Sequence, residues 1–229
     1  MSEQTKFNKY RVRRYLETAE RIWTYEGPPN PNYPHALLTT GLHSNGFVDV
    51  GTFLKNENYL QARMNIANFI LEALSEVWKS GFMHVVGAAT SSTMLAKTIA
   101  DISLTDHVKM IKTDKDQIWD PTNKPLIKGG IILQVEDLIT TGESSLKVRN
   151  AIRAQYPKQD IQFVPFLPVV VDGSDPDNRI TTIENSRVLP LLKLDIQTFQ
   201  PDDCPYCVVG SEAIRPREGN NWNRLTRKT

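Results

Sequence analysis

One stretch limits what this chain can fold into more than any other: Ile131-Ile132-Leu133-Gln134-Val135-Glu136-Asp137-Leu138-Ile139-Thr140-Thr141-Gly142-Glu143-Ser144-Ser145. Its aliphatic opening predicts a buried strand. Two adjacent carboxylates stand at the predicted strand end. A turn of threonines, a glycine and serines follows. Val148, Ala151 and Ile152, at i, i+3 and i+4, then predict a helix. Strand, polar turn and helix form the repeating unit of open α/β sheets, which place ligands at the carboxyl edge of their strands.

The chemistry of the turn follows from that placement. A helix N-terminus presents unpaired N–H groups and partial positive charge, so it attracts phosphate. Thr140, Thr141 and Ser144 add hydroxyl donors, Glu143 offers its N–H, and Gly142 lets the backbone approach closely. Carboxylates beside a phosphate repel it unless they face donors. Sugar hydroxyls, or a sugar-bound Mg²⁺, are such partners. Phosphate on the turn and sugar on the acids together describe a ribose 5-phosphate site. An ordinary strand–turn–helix shows these features singly; here they stand in register.

The pattern resembles the phosphoribosyl-pyrophosphate (PRPP) signature of type I phosphoribosyltransferases. The resemblance implies an α/β fold with a doubly wound, mostly parallel sheet and a small hood. It implies PRPP, with Mg²⁺, and a small nitrogen base as ligands, and a single domain over residues 1–229. The core would span about 80–195, and the hood would come from about 36–54 and the C-terminal segment. Glu136 and Asp137 would hold the ribose hydroxyls and, as catalytic residues, favour positive charge developing on the ribose. Thr140, Thr141, Gly142, Glu143 and Ser144 would anchor the 5′-phosphate.

Residues 36–50 resemble the N-terminal stretch of orotate phosphoribosyltransferases, where Phe47 would be the base or hood residue; otherwise they form a surface hairpin. The family's usual lysine there is replaced by Thr39 or Val50, and His43 reads as an exposed turn residue. His84 to Ala96 again predicts strand, small-residue turn and helix, with Leu95, Ile99 and Ile102 on the helix face; within it Ala89-Thr90-Ser91-Ser92 stands where the family binds pyrophosphate, with serines in place of glycines. Lys112 and Lys115 would meet pyrophosphate from a mobile basic loop, Lys112 as a catalytic cation; a solvated strand end is the alternative. The family can use such a loop across a dimer, so a homodimer is expected. Val171-Asp172-Gly173 lacks the arginine that in the family reads orotate's carboxylate, and Arg179 is the nearest substitute. That leaves the acceptor base open, and a PRPP-binding regulator without catalysis is the alternative reading.

Elsewhere the chain is read for its organisation. Lys9 to Tyr25 predicts a helix with a stripe of Val12, Tyr15, Leu16, Ala19, Ile22 and Trp23. Asn56 to Trp78 predicts the longest helix, its stripe formed by Leu60, Met64, Ala67, Leu71, Leu74 and Trp78. Pro165 and Pro168 predict an edge strand or a bulge. Cys204-Pro205-Tyr206-Cys207 is a CxxC with no second pair or neighbouring histidine in sequence, so no metal is assigned to it. The basic end, Arg215 to Lys228, reads as a solvated or dimer-contact segment. At 229 residues and net charge +1, nothing suggests nucleic acid or a membrane partner. The polar start from Met1 has no signal-peptide core, and a cytoplasmic location is expected.

Overall fold

A computed structural model describes residues 3–227, with side chains from residue 8 onward. Met1, Ser2 and Lys228, read above as parts of the polar start and basic end, lie outside the described residues. Among the described residues no helix is long and apolar enough to cross a membrane.

The main sheet runs in the order Thr182–Ile183, Ser186–Lys193, Phe166–Asp172, Ile131–Ile139, His84–Gly87, Asp106–Val108. All neighbours pair in parallel except the antiparallel edge strand Thr182–Ile183. Taken in chain order, the five parallel strands lie 2-1-3-4-5 across the sheet. The order therefore reverses between His84–Gly87 and Ile131–Ile139, the crevice where this topology accommodates ligands.

Alternation sorts the strand residues onto the two faces. Val85, Leu133, Val135, Val170 and Leu192 join a core with the helices Glu3–Thr18, Leu60–Val77 and Thr93–Ser103. Val86 and Ile132 face the other way and pack on Val148 and Ile152 of the helix Glu143–Gln155. Each fully buried aliphatic side chain contributes about 1.5–3 kcal/mol, so both faces must be covered. The result is a doubly wound, three-layer α/β fold.

Several sequence expectations move. The first helix stops at Thr18, and Ile22–Thr24 is a strand antiparallel to Gly46–Val48. Glu20 takes a left-handed φ of 57°. Glu20 N–H then donates to Glu17 O and Arg21 N–H to Leu16 O, a Schellman closure that helical periodicity does not reveal. In the long helix the buried stripe is Arg63, Ile66, Ala67, Ile70 and Leu74, while Leu60 and Met64 are exposed. The apolar residues permitted two stripes, and docking on Val12 and Leu16 selected this one.

Phe166–Asp172 is an interior strand, not an edge. Phe163 pairs with Ile132 but Val169 pairs with Glu136, so residues 164–168 carry two extra positions against the partner strand. That bulge accommodates Pro165 and Pro168, whose nitrogens have no proton to donate.

A second, four-stranded sheet has the order Thr198–Phe199, His43–Ser44, His35–Leu37, Ala213–Ile214. It joins the N-terminal hairpin to the C-terminal segment. Lys112 lies on a separate hairpin formed by Met110–Lys112 and Gln117–Trp119, and Lys115 lies in its turn.

Candidate active site

The strand Ile131–Ile139 continues past the acid pair. Leu138 pairs with Val171 and Ile139 with Asp172, so Glu136 and Asp137 stand inside the strand and not at its end. The neighbouring strand extends the ladder; local composition could not. Adjacent strand residues point to opposite faces. Yet both carboxylates are buried, at 2% and 6% exposure, because other segments close over them.

Ser92 does most of the closing. Its Oγ lies 3.0 Å from Glu136 Oε2 and 2.8 Å from Asp137 Oδ1, and it accepts from the Asp137 N–H at 3.0 Å. Glu136 Oε1 accepts from Ser145 Oγ at 2.9 Å and from Gln134 Nε2 at 3.0 Å. At Gly51, at the start of the helix Val50–Lys55, a Cβ would come within 3.0 Å of Asp137 Oδ2. The hydroxyl of Ser92 has one proton and cannot serve two carboxylates. The network closes if the pair keeps a proton. Glu136 then donates to Ser92, and Ser92 donates to Asp137. Burial first, and the Asp137 charge second, push Glu136 up to about 7. Burial also raises Asp137, opposed by hydrogen bonds from Ser92 and Ser91.

The turn after the strand is open. Thr140, Thr141, Glu143 and Ser144 are exposed, and Gly142 takes φ 76° as the cap of the helix Glu143–Gln155. No side chain caps that helix start at its N-cap position. Thr141 Oγ1 lies 3.4 Å from the Glu143 N–H. With no N-cap side chain in the way, the first-turn N–H groups can be offered to an anion. Ser145 differs: it turns inward to Glu136.

At the second turn Thr90 is exposed and Ser91 half-buried, while Ala89 and Ser92 are buried. Gln117 clamps Ala89, its amide donating to Ala89 O at 2.7 Å and its Oε1 accepting from Ala89 N–H at 2.9 Å. The cation at this turn is Lys55, whose Nζ donates to Thr90 Oγ1 at 3.2 Å. Lys112 and Lys115 are exposed on their hairpin and line no part of the cavity described next.

A cavity of about 470 Å³ opens between the small sheet and the carboxyl edge of the main sheet. Phe47, Leu138, Thr140, Gly173, Arg215 and Arg217 are among its walls. The Arg217 guanidinium sits 5.2 Å from the Phe47 ring centre and 4.7 Å from that of Trp222. The basic C-terminal segment therefore turns into the cavity, contrary to its reading as a solvated end. Arg179 does not. It donates to Leu194 O at 2.9 Å and pairs with Asp172 and Asp195, which hold it away from the cavity. His43 is buried, not an exposed turn residue.

Sequence reading passed over Arg149 and Gln117. Arg149 had a signal: Ser145, Val148, Arg149 and Ile152, at i, i+3, i+4 and i+7, are the buried face of their helix. An arginine on an apolar stripe marks a buried hub. Gln117 had none, because its role depends on a hairpin folding against a distant loop.

No protein-family model matches the chain. Among curated proteins it is similar to the orotate phosphoribosyltransferase of Desulforamulus reducens, 26% identical over 182 residues, covering 80% of this chain and 87% of that one. The orotate phosphoribosyltransferase of Carboxydothermus hydrogenoformans is 24% identical over 187 residues, covering 80% and 88%. Among solved structures, orotate phosphoribosyltransferase from Aeropyrum pernix superposes with a TM-score of 0.55 at 15% identity, covering 80% of this chain and 93% of that one. Leishmania donovani UMP synthase gives 0.58 at 14% identity; 84% of this chain is covered, but only 37% of that one. The structural likenesses establish the fold, and the sequence likeness runs along four-fifths of the chain. The chain thus has the fold of the type I phosphoribosyltransferases and is similar in sequence to orotate phosphoribosyltransferases along four-fifths of its length.

Proposed function

We propose that this protein binds PRPP at the turn after Ile139 and transfers its ribose 5-phosphate to a ring nitrogen of a small planar base in the adjoining cavity, releasing pyrophosphate. The observation that carries the reading is the uncapped helix start at Gly142 beside a cavity of base size. The 5′-phosphate would accept from the first-turn N–H groups and from Thr140, Thr141 and Ser144. Such anchoring holds C1′ in position for attack. Asp137, ionised while Glu136 keeps its proton, would face the ribose hydroxyls and stabilise positive charge at C1′. Ribose reaches it when Ser91 and Ser92 give up their bonds to the pair. Lys55 and Thr90 would meet the leaving pyrophosphate.

Mg²⁺ would enter as part of the PRPP complex and neutralise the pyrophosphate. Both Glu136 oxygens and Asp137 Oδ1 already have hydrogen-bond partners, so the chain does not offer a preformed cation cage.

We further propose an anionic acceptor of the orotate kind. Arg179 lies away from the cavity, whereas Arg215 and Arg217 line it, Arg215 paired with Glu218 and Arg217 donating to Glu20 O; an anionic base would draw on these two cations. The decisive experiment is calorimetric titration with Mg-PRPP, followed by pyrophosphate release across orotate, uracil and adenine. Micromolar PRPP binding and preferential use of orotate are expected. Arg215→Ala should lower kcat/KM for orotate by about 10–100-fold, the loss of one charged hydrogen bond, and leave a neutral base nearly unaffected. Equal losses for both bases would remove the acceptor assignment. A folded Asp137→Asn variant with unchanged PRPP affinity would remove the ribose site.

One observation favours a second reading. Ser92 occupies the acid pair, as it would in a protein that binds PRPP for regulation without catalysis. PRPP binding without pyrophosphate release for any base would select it.

We also propose a homodimer. Ile111 and Ile118 face each other across the exposed hairpin and are 39% and 45% exposed, an apolar pair suited to a second copy. Sedimentation velocity at micromolar concentration should show a dimer, and an active monomer would contradict this.

A further inference from the structure

We propose that His35, His43, Cys204 and Cys207 form a structural zinc site that fastens the C-terminal segment to the N-terminal hairpin. Their ligand atoms all lie within 4.8 Å of one another. His35 Nε2 is 3.0 Å from His43 Nδ1, 3.5 Å from Cys204 Sγ and 3.7 Å from Cys207 Sγ. His43 Nδ1 is 3.2 Å from Cys207 Sγ. With Zn–N of about 2.0–2.1 Å and Zn–S of about 2.3 Å, a tetrahedron has N···N edges of about 3.3 Å and N···S edges of about 3.5 Å. The measured edges fall around those values. Neither cysteine forms a disulfide.

The fold brings the four together from two places. Leu37 pairs with His43 in the antiparallel hairpin, and His35 lies two residues from Leu37, so both imidazoles share one face of the small sheet. Cys204 caps the short helix Pro205–Val208, and Cys207 lies on its only turn. His35, His43 and Cys204 are buried. The sequence pairs the cysteines with no nearby histidine; the sheet supplies two.

A hydrogen bond beyond the cluster sets the imidazole for a metal. Ser211 Oγ donates to Tyr33 O at 2.6 Å, which uses its only proton. Towards His35 Nδ1, at 2.8 Å, Ser211 must therefore accept. Nδ1 carries the hydrogen, and Nε2 turns its lone pair into the cluster. His43 Nδ1, Cys204 Sγ and Cys207 Sγ surround that lone pair, and among the described residues their hydrogen bonds run within the cluster. Four protein ligands leave no open position, so the ion is structural. The strand Ala213–Ile214 pairs with His35–Leu37 and leads directly into Arg215, so the ion also braces one wall of the cavity.

The test uses the full chain, purified without a histidine tag or chelator. Mass-spectrometric metal analysis should find about one zinc per chain. Exchange for Co²⁺ should produce the intense visible bands of tetrahedral cobalt together with thiolate charge-transfer absorption. A Cys204→Ser, Cys207→Ser double variant should fall below about one-tenth of an equivalent. Ser211→Ala should keep the stoichiometry but weaken zinc affinity by about 10–100-fold. The wild-type cobalt spectrum decides the matter even if the double variant fails to fold. Reduced, folded wild-type protein that takes up neither zinc nor tetrahedral cobalt would overturn the proposal. So would a Cys204–Cys207 disulfide in the purified protein that, once reduced, binds no zinc.

Discussion

Replacing Arg149 with methionine is expected to cost about 2–6 kcal/mol of stability, the range for leaving two buried neutral acceptors without a donor. Arg149 is 2% exposed. Its guanidinium donates to Gln134 Oε1 at 2.8 Å, Ile183 O at 3.1 Å, Glu184 Oε2 at 3.1 Å and Ser186 Oγ at 2.8 Å. It also lies 4.6 Å from the ring centre of Phe163. Methionine fills much of the volume but donates nothing. Glu184 is not stranded, because Arg153 holds it through bonds of 2.6 and 2.7 Å and, as the first cause, keeps its carboxyl down near 2. The cost falls on Gln134 and the Ile183 carbonyl, neutral acceptors worth about 1–3 kcal/mol each when buried without a partner. Lysine offers a point charge in place of a fork and should recover only part of the loss. Urea unfolding reads the difference directly, and a change below about 1 kcal/mol would show that the hub is dispensable. The effect reaches the site as well. A released Gln134 no longer holds its amide on Glu136, so PRPP affinity should fall in any variant that still folds.

Glu136→Gln is expected to stabilise the protein at alkaline pH. The ordinary value for this carboxyl is 4.5, and in the fold it stands at about 7. Between these values the folded chain keeps a proton that the unfolded chain has released. Stability therefore falls as pH rises through that window and levels off above it. At about 1.4 kcal/mol per unit the decline amounts to about 3 kcal/mol. Asp137, also raised by burial, adds a decline of the same sign. Glutamine reproduces the protonated form: its oxygen accepts from Ser145 and Gln134, and its amide donates to Ser92. The variant should match wild type near pH 4 and exceed it by up to about 3 kcal/mol at pH 8. Urea midpoints measured across that range provide the check. A constant offset between variant and wild type at pH 5 and pH 8 would mean that Glu136 titrates normally. The same variant separates stability from function. An acid pair that must exchange its proton during turnover would leave Glu136→Gln more stable but slower.

Local pattern alone determined much of this protein. The aliphatic run from Ile131, the period of Val148 and Ile152, and the hydroxyl-rich turn at Thr140–Ser144 were sufficient to predict strand, polar turn and helix, since each depends on neighbours within one or two turns of chain. Repetition of that unit at 84–102 implied a doubly wound sheet, and the sheet is one. Only tertiary structure decided where the acids lie and what they meet. The ladder to Phe166–Asp172 carries the strand past Asp137, and Ser92, Gln134 and Ser145 then enclose the pair. It also turned Arg215 and Arg217 from a basic end into a cavity wall, and brought His35 and His43 to cysteines more than 160 positions away. The physical reason is the same in each case. Periodicity encodes which face of an element is apolar, but the partner that buries that face is selected by sheet order and core packing across the whole chain.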